Sequence, residues 1–112
     1  MGYRSNIIIA INKEVRARHL ITNEIPACLT NDDSVIKEAD ERTGNLYFKI
    51  EDWKWYSTYP EIQAIEKWFE SMQEHEFGAM RMGEDDDDTQ RWGEPYDFDI
   101  CLNRYLSCPI DG

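Results

Sequence analysis

The fold is decided by the stretch Trp53-Lys-Trp-Tyr-Ser-Thr-Tyr-Pro-Glu-Ile-Gln-Ala-Ile-Glu-Lys-Trp-Phe-Glu-Ser-Met72, which holds three of the four tryptophans. It predicts the end of a strand, a tight turn and then the best helix in the chain. Thr58 with Glu61 three residues later predicts a capping box, and Pro60 suits the first turn of a helix. Apolar residues recur behind this cap at helical spacing: Ile62, Ile65, Trp68, Phe69 and Met72. We therefore expect the rest of the chain to cover this apolar stripe.

The composition is that of one folded, strongly acidic domain. The chain has 112 residues, 41% of them hydrophobic, and a formal net charge of −11, so we expect a single domain spanning residues 1–112. No apolar run approaches the ~20 residues that cross a bilayer, and no secretory signal is expected. The charge argues against direct binding of nucleic acid or of an anionic membrane, because both would be repelled. It favours a basic protein as partner.

The three cysteines, Cys28, Cys101 and Cys108, are odd in number and irregularly spaced. This pattern predicts reduced thiols in a cytosolic protein. Cys101 and Cys108 lack companion ligands for a zinc site, which takes four.

Four segments have the pattern of strands. Residues 3–11 carry a nearly continuous run of isoleucines, which predicts a central strand or one covered on both faces. In residues 46–55 the apolar phase shifts near Trp53, which predicts a bulge or a strand whose two ends bury opposite faces. Residues 77–82 predict a short strand, and residues 96–103 alternate cleanly. The last two strands predict a hairpin whose loop is residues 83–93.

Two further helices are expected besides the one after Pro60. Asn12 predicts the cap of a helix from Lys13 to about Ile21, in which His19 packs against apolar neighbours rather than acting in catalysis. Its cations Lys13, Arg16 and Arg18 suit a solvated face. Residues 23–33 are expected to be irregular because of Pro26. Asp32 or Asp33 then predicts the cap of a short helix over residues 35–41.

The order of the predicted strands and helices along the chain predicts an α+β fold. It is expected to be a two-layer domain built on a mostly antiparallel sheet of about four strands, with helices packed on one face. No internal repeat or linker indicates a second domain.

The most unusual local sequence is Met82-Gly-Glu-Asp-Asp-Asp-Asp88. Three interpretations stay open: a solvated hairpin loop, a surface for a basic partner, and a site for Ca²⁺ or Mg²⁺. The spacing does not match an EF-hand loop. When the loop is started early in the acidic run, the position that requires glycine holds another residue. When it is started at the end of the run, the glycine position is correct but neighbouring ligand positions hold unsuitable residues. We expect no bound metal and no cofactor.

A binding surface made of this run would extend onto neighbouring carboxylates, since Asp97 and Asp99 share the outward face of the strand expected over residues 96–103. The candidate partner-binding residues are Glu84, Asp85, Asp86, Asp87, Asp88, Glu94, Asp97 and Asp99. Carboxylates spaced along a strand can imitate the charge pattern of a phosphate backbone. A second candidate contact, which would suit a homodimer, consists of the aromatic residues Trp55, Tyr56, Tyr59 and Trp92.

The sequence contains no catalytic signature. GxSxG, HExxH, P-loop and GxGxxG motifs are all absent from it, and His75 lies between Glu74 and Glu76 in a setting typical of a solvated histidine. We therefore assign no catalytic residue and do not expect an enzyme.

Three pieces of the chain carry a resemblance. They are the start Met1-Gly-Tyr-Arg-Ser5, the segment Lys54-Trp-Tyr-Ser-Thr-Tyr-Pro-Glu-Ile-Gln-Ala-Ile-Glu66, and Arg81-Met-Gly-Glu-Asp85 before the acidic run. Together they resemble a group of small acidic proteins of bacteriophages and prophages that are mostly uncharacterised. The resemblance implies a phage origin and expression in the cytoplasm of a bacterial host, and it identifies no active residues.

Phage origin favours one functional hypothesis over its alternatives. A small acidic phage protein is expected to bind and inhibit a basic host protein that handles nucleic acid, such as a component of CRISPR defence. The alternatives are a structural or self-assembling module that uses its exposed aromatic residues, and a metal-binding domain.

Overall fold

The computed structural model describes residues 4–22, 24–85, 88–102 and 106–109. Within these residues there are seven strands: β1 Ser5–Ile11, β2 Ile36–Ala39, β3 Leu46–Trp53, β4 Phe77–Met82, β5 Thr89–Gly93, β6 Cys101–Leu102 and β7 Leu106–Ser107. Three α-helices accompany them: α1 Lys13–Thr22, α2 Ala27–Thr30 and α3 Pro60–Ser71. Two 3-10 turns, Glu74–Glu76 and Pro95–Phe98, complete the regular structure of the described residues.

The predicted α+β fold is confirmed at the level of its class. The main sheet has five strands in the order β2-β3-β1-β4-β5, and every neighbouring pair is antiparallel. The expected number was about four. β1 lies at the centre, as its run of isoleucines predicted. The strands β6 and β7 form a separate two-stranded sheet.

Both faces of the sheet are covered. Ile7, Ile9 and Ile11 of β1 point to the face on which Val15 of α1, Leu29 of α2 and the stripe of α3 pack. We call this the helical face. The two-layer description is incomplete, because the opposite face also bears a layer. That layer comes from the C-terminal segment, and the opposite core consists of Ile8, Ala10, Tyr47, Met80, Phe98, Ile100, Leu106 and Cys108.

The helix α3 buries the predicted stripe. Ile62, Ile65, Trp68, Phe69 and Met72 are all buried, and each contributes about 1.5–3 kcal/mol by the apolar area removed from water. The predicted capping box is absent, because the helix begins one residue later than expected.

The start of α3 instead has Pro60 at its first position and Tyr59 as N-cap, with no side-chain cap. Gln63 stabilises the entry by donating from Nε2 to the Ser57 carbonyl (3.0 Å). The helix α1 has the cap that the sequence predicted, since the Val15 N–H donates to Asn12 Oδ1 (2.8 Å).

The prediction of a helix over residues 35–41 is wrong, because residues 36–39 form β2 and pair with β3. Asp32 does not cap a helix. Its Oδ1 accepts from the N–H (2.9 Å) and the hydroxyl (2.7 Å) of Ser34, which closes a tight turn. The segment expected to be irregular contains the four-residue helix α2, which starts directly after Pro26.

The hairpin after α3 exists, but its second strand is β5 and not residues 96–103. Residues 89–93, expected as loop, pair with β4, whereas Pro95–Phe98 is a 3-10 turn. Asp99 follows it with a positive φ of 57°. Phe98 and Ile100 are buried as expected, but Tyr96 is 59% exposed. Asn103 lies outside the described residues.

The predicted bulge in β3 is confirmed. The register of β3 against β1 shifts between Ser5 and Ile7, and Asp52 has a positive φ of 58°. The extra residue turns the end of β3 toward the start of α3.

Candidate functional site

The acidic run lies in the connection between β4 and β5. Two backbone hydrogen bonds close this turn, from the Gly83 N–H to the Asp88 carbonyl (2.8 Å) and from the Asp88 N–H to the Asp85 carbonyl (2.9 Å). Glu84 and Asp85 are exposed. Two further predicted contact residues of the run, Asp86 and Asp87, lie outside the described residues.

Asp88 is partly buried and is paired with Arg81. The Arg81 side chain is buried and forms a two-pronged ion pair with the Asp88 carboxylate. The same guanidinium donates to Ser5 Oγ (2.7 Å) and to Gln90 Oε1 (2.6 Å). A buried guanidinium needs such partners, because its charge has left water. Asp88 therefore stabilises the hairpin, and its charge is matched within the chain.

Sequence reasoning missed this role of Arg81. The signal that could have found it is the phase of β4, in which Phe77 and Ala79 face the helices and Arg81 is the next residue on that face. A charged residue at an inward position predicts a partner carboxylate, and the acidic run supplies it.

Replacing Asp88 with alanine is expected to lower the free energy of unfolding by about 2 kcal/mol, because Arg81 then loses its charged acceptor while its side chain stays 9% exposed. Urea denaturation followed by circular dichroism measures the change. Asp97→Ala is the matched control, since Asp97 is an exposed carboxylate, and it should change stability by less than ~0.5 kcal/mol. Equal effects of the two substitutions would contradict a structural role for Asp88.

The other predicted carboxylates lie at the opposite end of β5. Glu94 follows the strand directly, Asp97 belongs to the 3-10 turn Pro95–Phe98, and Asp99 comes next. All three are exposed. The prediction that Asp97 and Asp99 share the outward face of a strand is wrong, because Asp97 lies in the 3-10 turn and Asp99 ends it, and β6 begins only at Cys101. The carboxylates are instead divided between the two ends of β5, roughly 14 Å apart at ~3.4 Å per residue.

A further acidic group lies beside β5 on the helical face. Glu66, Glu70 and Glu74 line a cavity of about 190 Å³ whose other walls include Phe69, Phe77 and Trp92. Among the described residues, no ion pair or side-chain hydrogen bond involves any of the three glutamates. The sequence shows them at four-residue intervals, but only the packing of α3 on the sheet brings them to β5.

The predicted aromatic contact residues form two internal pairs. Trp55 packs on Trp92 with ring centroids 5.9 Å apart, and Trp92 also contacts Phe69 at 5.2 Å. Tyr56 and Tyr59 meet edge to face at 5.3 Å. The four predicted residues are half-buried, so much of their apolar area is already covered within the chain.

A cavity of about 510 Å³ lies between the bulge of β3 and the start of α3. Its lining includes Arg4, Cys28, Asp52, Lys54 and Tyr59. Burial raises the pKa of the Cys28 thiol, with Glu61 and Asp32 acting in the same direction. The thiol therefore stays protonated at neutral pH and is a poor nucleophile.

His19 is packed, as expected. It is buried beneath α3, its Nδ1 accepts from the Trp68 indole N–H (2.9 Å), and its Nε2 lies 3.3 Å from Glu24 Oε2. Burial lowers the pKa of His19, while the Glu24 carboxylate opposes that shift. These contacts hold α1 against α3 and leave the ring no access to a substrate.

Cys28, Cys101 and Cys108 are free cysteines. Within the part of the chain that is described, no group of three or more His, Cys, Asp or Glu side chains is arranged to hold a metal ion. None of the described helices is long and apolar enough to cross a membrane.

Comparison with protein-family models, with curated proteins and with solved structures finds no match. The functional argument therefore depends on the geometry and charge of this chain.

Proposed function

We propose that this chain is a small accessory protein of phage origin that binds and inhibits a basic, nucleic-acid-handling protein in the cytoplasm of a bacterial host. The contact is made by the β5 edge surface, which we define as β5 with its flanking carboxylates Glu66, Glu70, Glu74, Glu84, Asp85, Glu94 and Asp97.

One observation carries this proposal. In the part of the chain that the structure describes, carboxylates that form no ion pair with a cation surround a single edge strand: Glu66, Glu70 and Glu74 beside it, and Glu94 and Asp97 beyond its end. Arg81, Arg18 and Arg42 pair with other carboxylates. Since charges interact across about 8 Å at physiological ionic strength, grouped carboxylates produce a stronger local field than the same number spread over the surface.

The sign of that field selects the class of partner. A net charge of −11 repels nucleic acid and attracts the basic grooves in which proteins hold nucleic acid. An acidic protein seated in such a groove competes with the phosphate backbone. Association of this kind is steered by long-range attraction and weakens as salt rises.

Neutralising the β5 edge surface is expected to weaken binding at least about tenfold. The variant is Glu66→Gln, Glu70→Gln, Glu94→Gln and Asp97→Asn. Binding is measured by biolayer interferometry against a panel of purified bacterial DNA- and RNA-binding proteins at low and high NaCl. A competition assay with labelled DNA then tests whether the protein displaces nucleic acid from each partner that binds.

The matched control has the same net charge but removes exposed carboxylates elsewhere: Glu14→Gln, Asp33→Asn, Glu38→Gln and Glu41→Gln. We expect it to lose less than about threefold in affinity. Equal losses in the two variants mean that only net charge matters, which contradicts a defined surface. Binding that is insensitive to salt contradicts the electrostatic mechanism.

A further inference from the structure

We propose that an extended segment of the basic partner adds to β5 as a sixth strand of the sheet, with lysine or arginine side chains directed at the cavity between α3 and β5. This inference rests on the proposed function, because it specifies how the partner meets the β5 edge surface. Four features of the molecule support it.

The first feature is the hydrogen-bonding phase of β5. The Gly83 N–H donates to the Asp88 carbonyl (2.8 Å), and the Glu94 N–H donates to the Phe77 carbonyl (2.9 Å). In an antiparallel ladder these bonds recur at every second residue, so Gln90 and Trp92 are bonded to β4. The backbone groups of Thr89, Arg91 and Gly93 therefore point away from the sheet. Among the described residues, no strand pairs with that side of β5.

The second feature is that β5 is less protected against pairing with a further strand than the other edge of the sheet. The other edge, β2, is only four residues long and carries Lys37 and Glu38, and charged side chains on a short strand are the usual protection against further pairing. β5 has five residues with one charge, that of Arg91. The Arg91 guanidinium is turned to the opposite face, where it lies over the Tyr96 ring at 5.6 Å.

The third feature is the side-chain alternation of β5. Gln90 and Trp92 point to the helical face, since Gln90 contacts Arg81 and Trp92 packs on Phe69. Residues of an added strand that lie opposite Gln90 and Trp92 point to the same face. There they meet the cavity of about 190 Å³ lined by aromatic rings and by Glu66, Glu70 and Glu74.

The fourth feature is the chemistry of that cavity. An aromatic wall beside carboxylates suits a long side chain with an apolar stem and a cationic head. Glu66 and Glu70 are like charges four residues apart on α3 and repel each other, and Glu74 of the following 3-10 turn lines the same cavity. A cation placed among the three carboxylates reduces their repulsion. An incoming segment with lysine or arginine at every second position can pair with β5 and also place its cationic side chains in the cavity.

A second copy of this chain does not fit the same edge. Antiparallel pairing of two β5 strands about Arg91 sets Arg91 against its equivalent. It also brings the turn that carries Glu84 and Asp85 next to Glu94 and Asp97 of the other copy. Both juxtapositions are repulsive between molecules of net charge −11.

The test uses two labelled peptides of roughly seven residues, a length typical of a strand. One alternates lysine and threonine, and the other has the same composition with the lysines adjacent. Fluorescence anisotropy compares their binding to the wild type, Arg91→Pro and Arg91→Ala. Proline removes the outward N–H without removing a bond to β4, whereas alanine removes only the side chain.

We expect the wild type to prefer the alternating peptide, Arg91→Pro to lose at least about tenfold in affinity, and Arg91→Ala to lose less than about threefold. Circular dichroism checks that the proline variant is folded. Amide hydrogen exchange of the wild type supplies a readout that needs no variant. The amides of Thr89, Arg91 and Gly93 should become protected when peptide is added, and those of Gln90 and Trp92 should be protected throughout.

Each remaining outcome overturns the inference. If Arg91→Pro binds as tightly as the wild type, or if the outward amides stay unprotected, no strand is added, while binding through the acidic surface still stands. If neither peptide binds the wild type, the strand addition is wrong. The proposed function is then decided separately, by the binding of the carboxylate-neutralised variant to whole basic proteins. If light scattering finds a dimer that Arg91→Pro abolishes, the edge pairs with a second copy.

Discussion

Replacing His19 with alanine is expected to lower the free energy of unfolding by about 3 kcal/mol. His19 is 2% exposed, and its Nδ1 accepts a hydrogen bond from the indole N–H of Trp68, which is 4% exposed. The alanine variant leaves that donor buried without an acceptor and opens a cavity between α1 and α3. Urea denaturation monitored by tryptophan fluorescence measures the loss.

Two matched variants separate the hydrogen bond from other effects. His75→Ala removes an exposed histidine and should change stability by less than ~0.5 kcal/mol. His19→Asn keeps an acceptor near the position of Nδ1 and should recover part of the loss. If His19→Asn is no more stable than His19→Ala, the bond to Trp68 is not what stabilises this interface.

The same contact gives the wild type a pH dependence of known sign. Burial lowers the pKa of His19 in the folded protein, so the unfolded chain binds more protons once the pH falls below the ordinary value of about 6.5. The contribution of His19 to the free energy of unfolding is therefore largest above about pH 6.5. It decreases as the pH drops through that value and stops decreasing below the pKa of His19 in the folded protein. His19→Ala lacks this component, and parallel pH profiles of the two proteins would contradict the assignment.

The parts of the fold that sequence patterns predicted are those determined by local spacing. The stripe of α3 repeats at helical intervals, so a single helix face accounts for Ile65, Trp68 and Phe69. The isoleucines of β1 leave no polar face, and a strand of that kind has to be covered on both sides. Both conclusions follow from residues that are neighbours in the sequence.

The segments that were predicted wrongly depend on distant partners. Residues 36–39 have too few turns to be stable as a helix, and pairing with β3 decides their conformation. Residues 96–103 alternate like a strand, yet β5 already occupies the edge of β4. Phe98 and Ile100 reach the core from a turn instead. Alternation reports which residues are buried and does not report which strand pairs with which.

The candidate site shows the same division. Composition predicted an acidic surface, because charge is a property of the sequence. It did not predict that Asp88 is matched by Arg81. It also did not place Glu66 and Glu70 beside Trp92. Both facts require the helical face to be assembled, which joins segments that are far apart along the chain.

Gly78→Ala is expected to destabilise the protein by about 3 kcal/mol, the upper part of the usual range for overpacking. A Cβ at Gly78 would lie 2.6 Å from Pro95 Cα, 2.8 Å from Pro95 N and 2.9 Å from the Glu94 carbonyl carbon. These are backbone atoms, so no side-chain rotation relieves the clash. The 3-10 turn Pro95–Phe98 has to move away from β4, and Phe98 is displaced from the opposite core with it.

Chemical denaturation measures this loss, and Thr89→Ala on the neighbouring strand is the control, with an expected change below ~0.5 kcal/mol. The close approach at Gly78 fixes where Glu94 and Asp97 stand relative to β5. The variant should therefore also weaken binding of a basic partner when it is measured below its unfolding transition. A Gly78→Ala protein as stable as Thr89→Ala would mean that the Pro95–Phe98 turn yields easily. The carboxylates beyond β5 would then not be held in the position that the β5 edge surface requires.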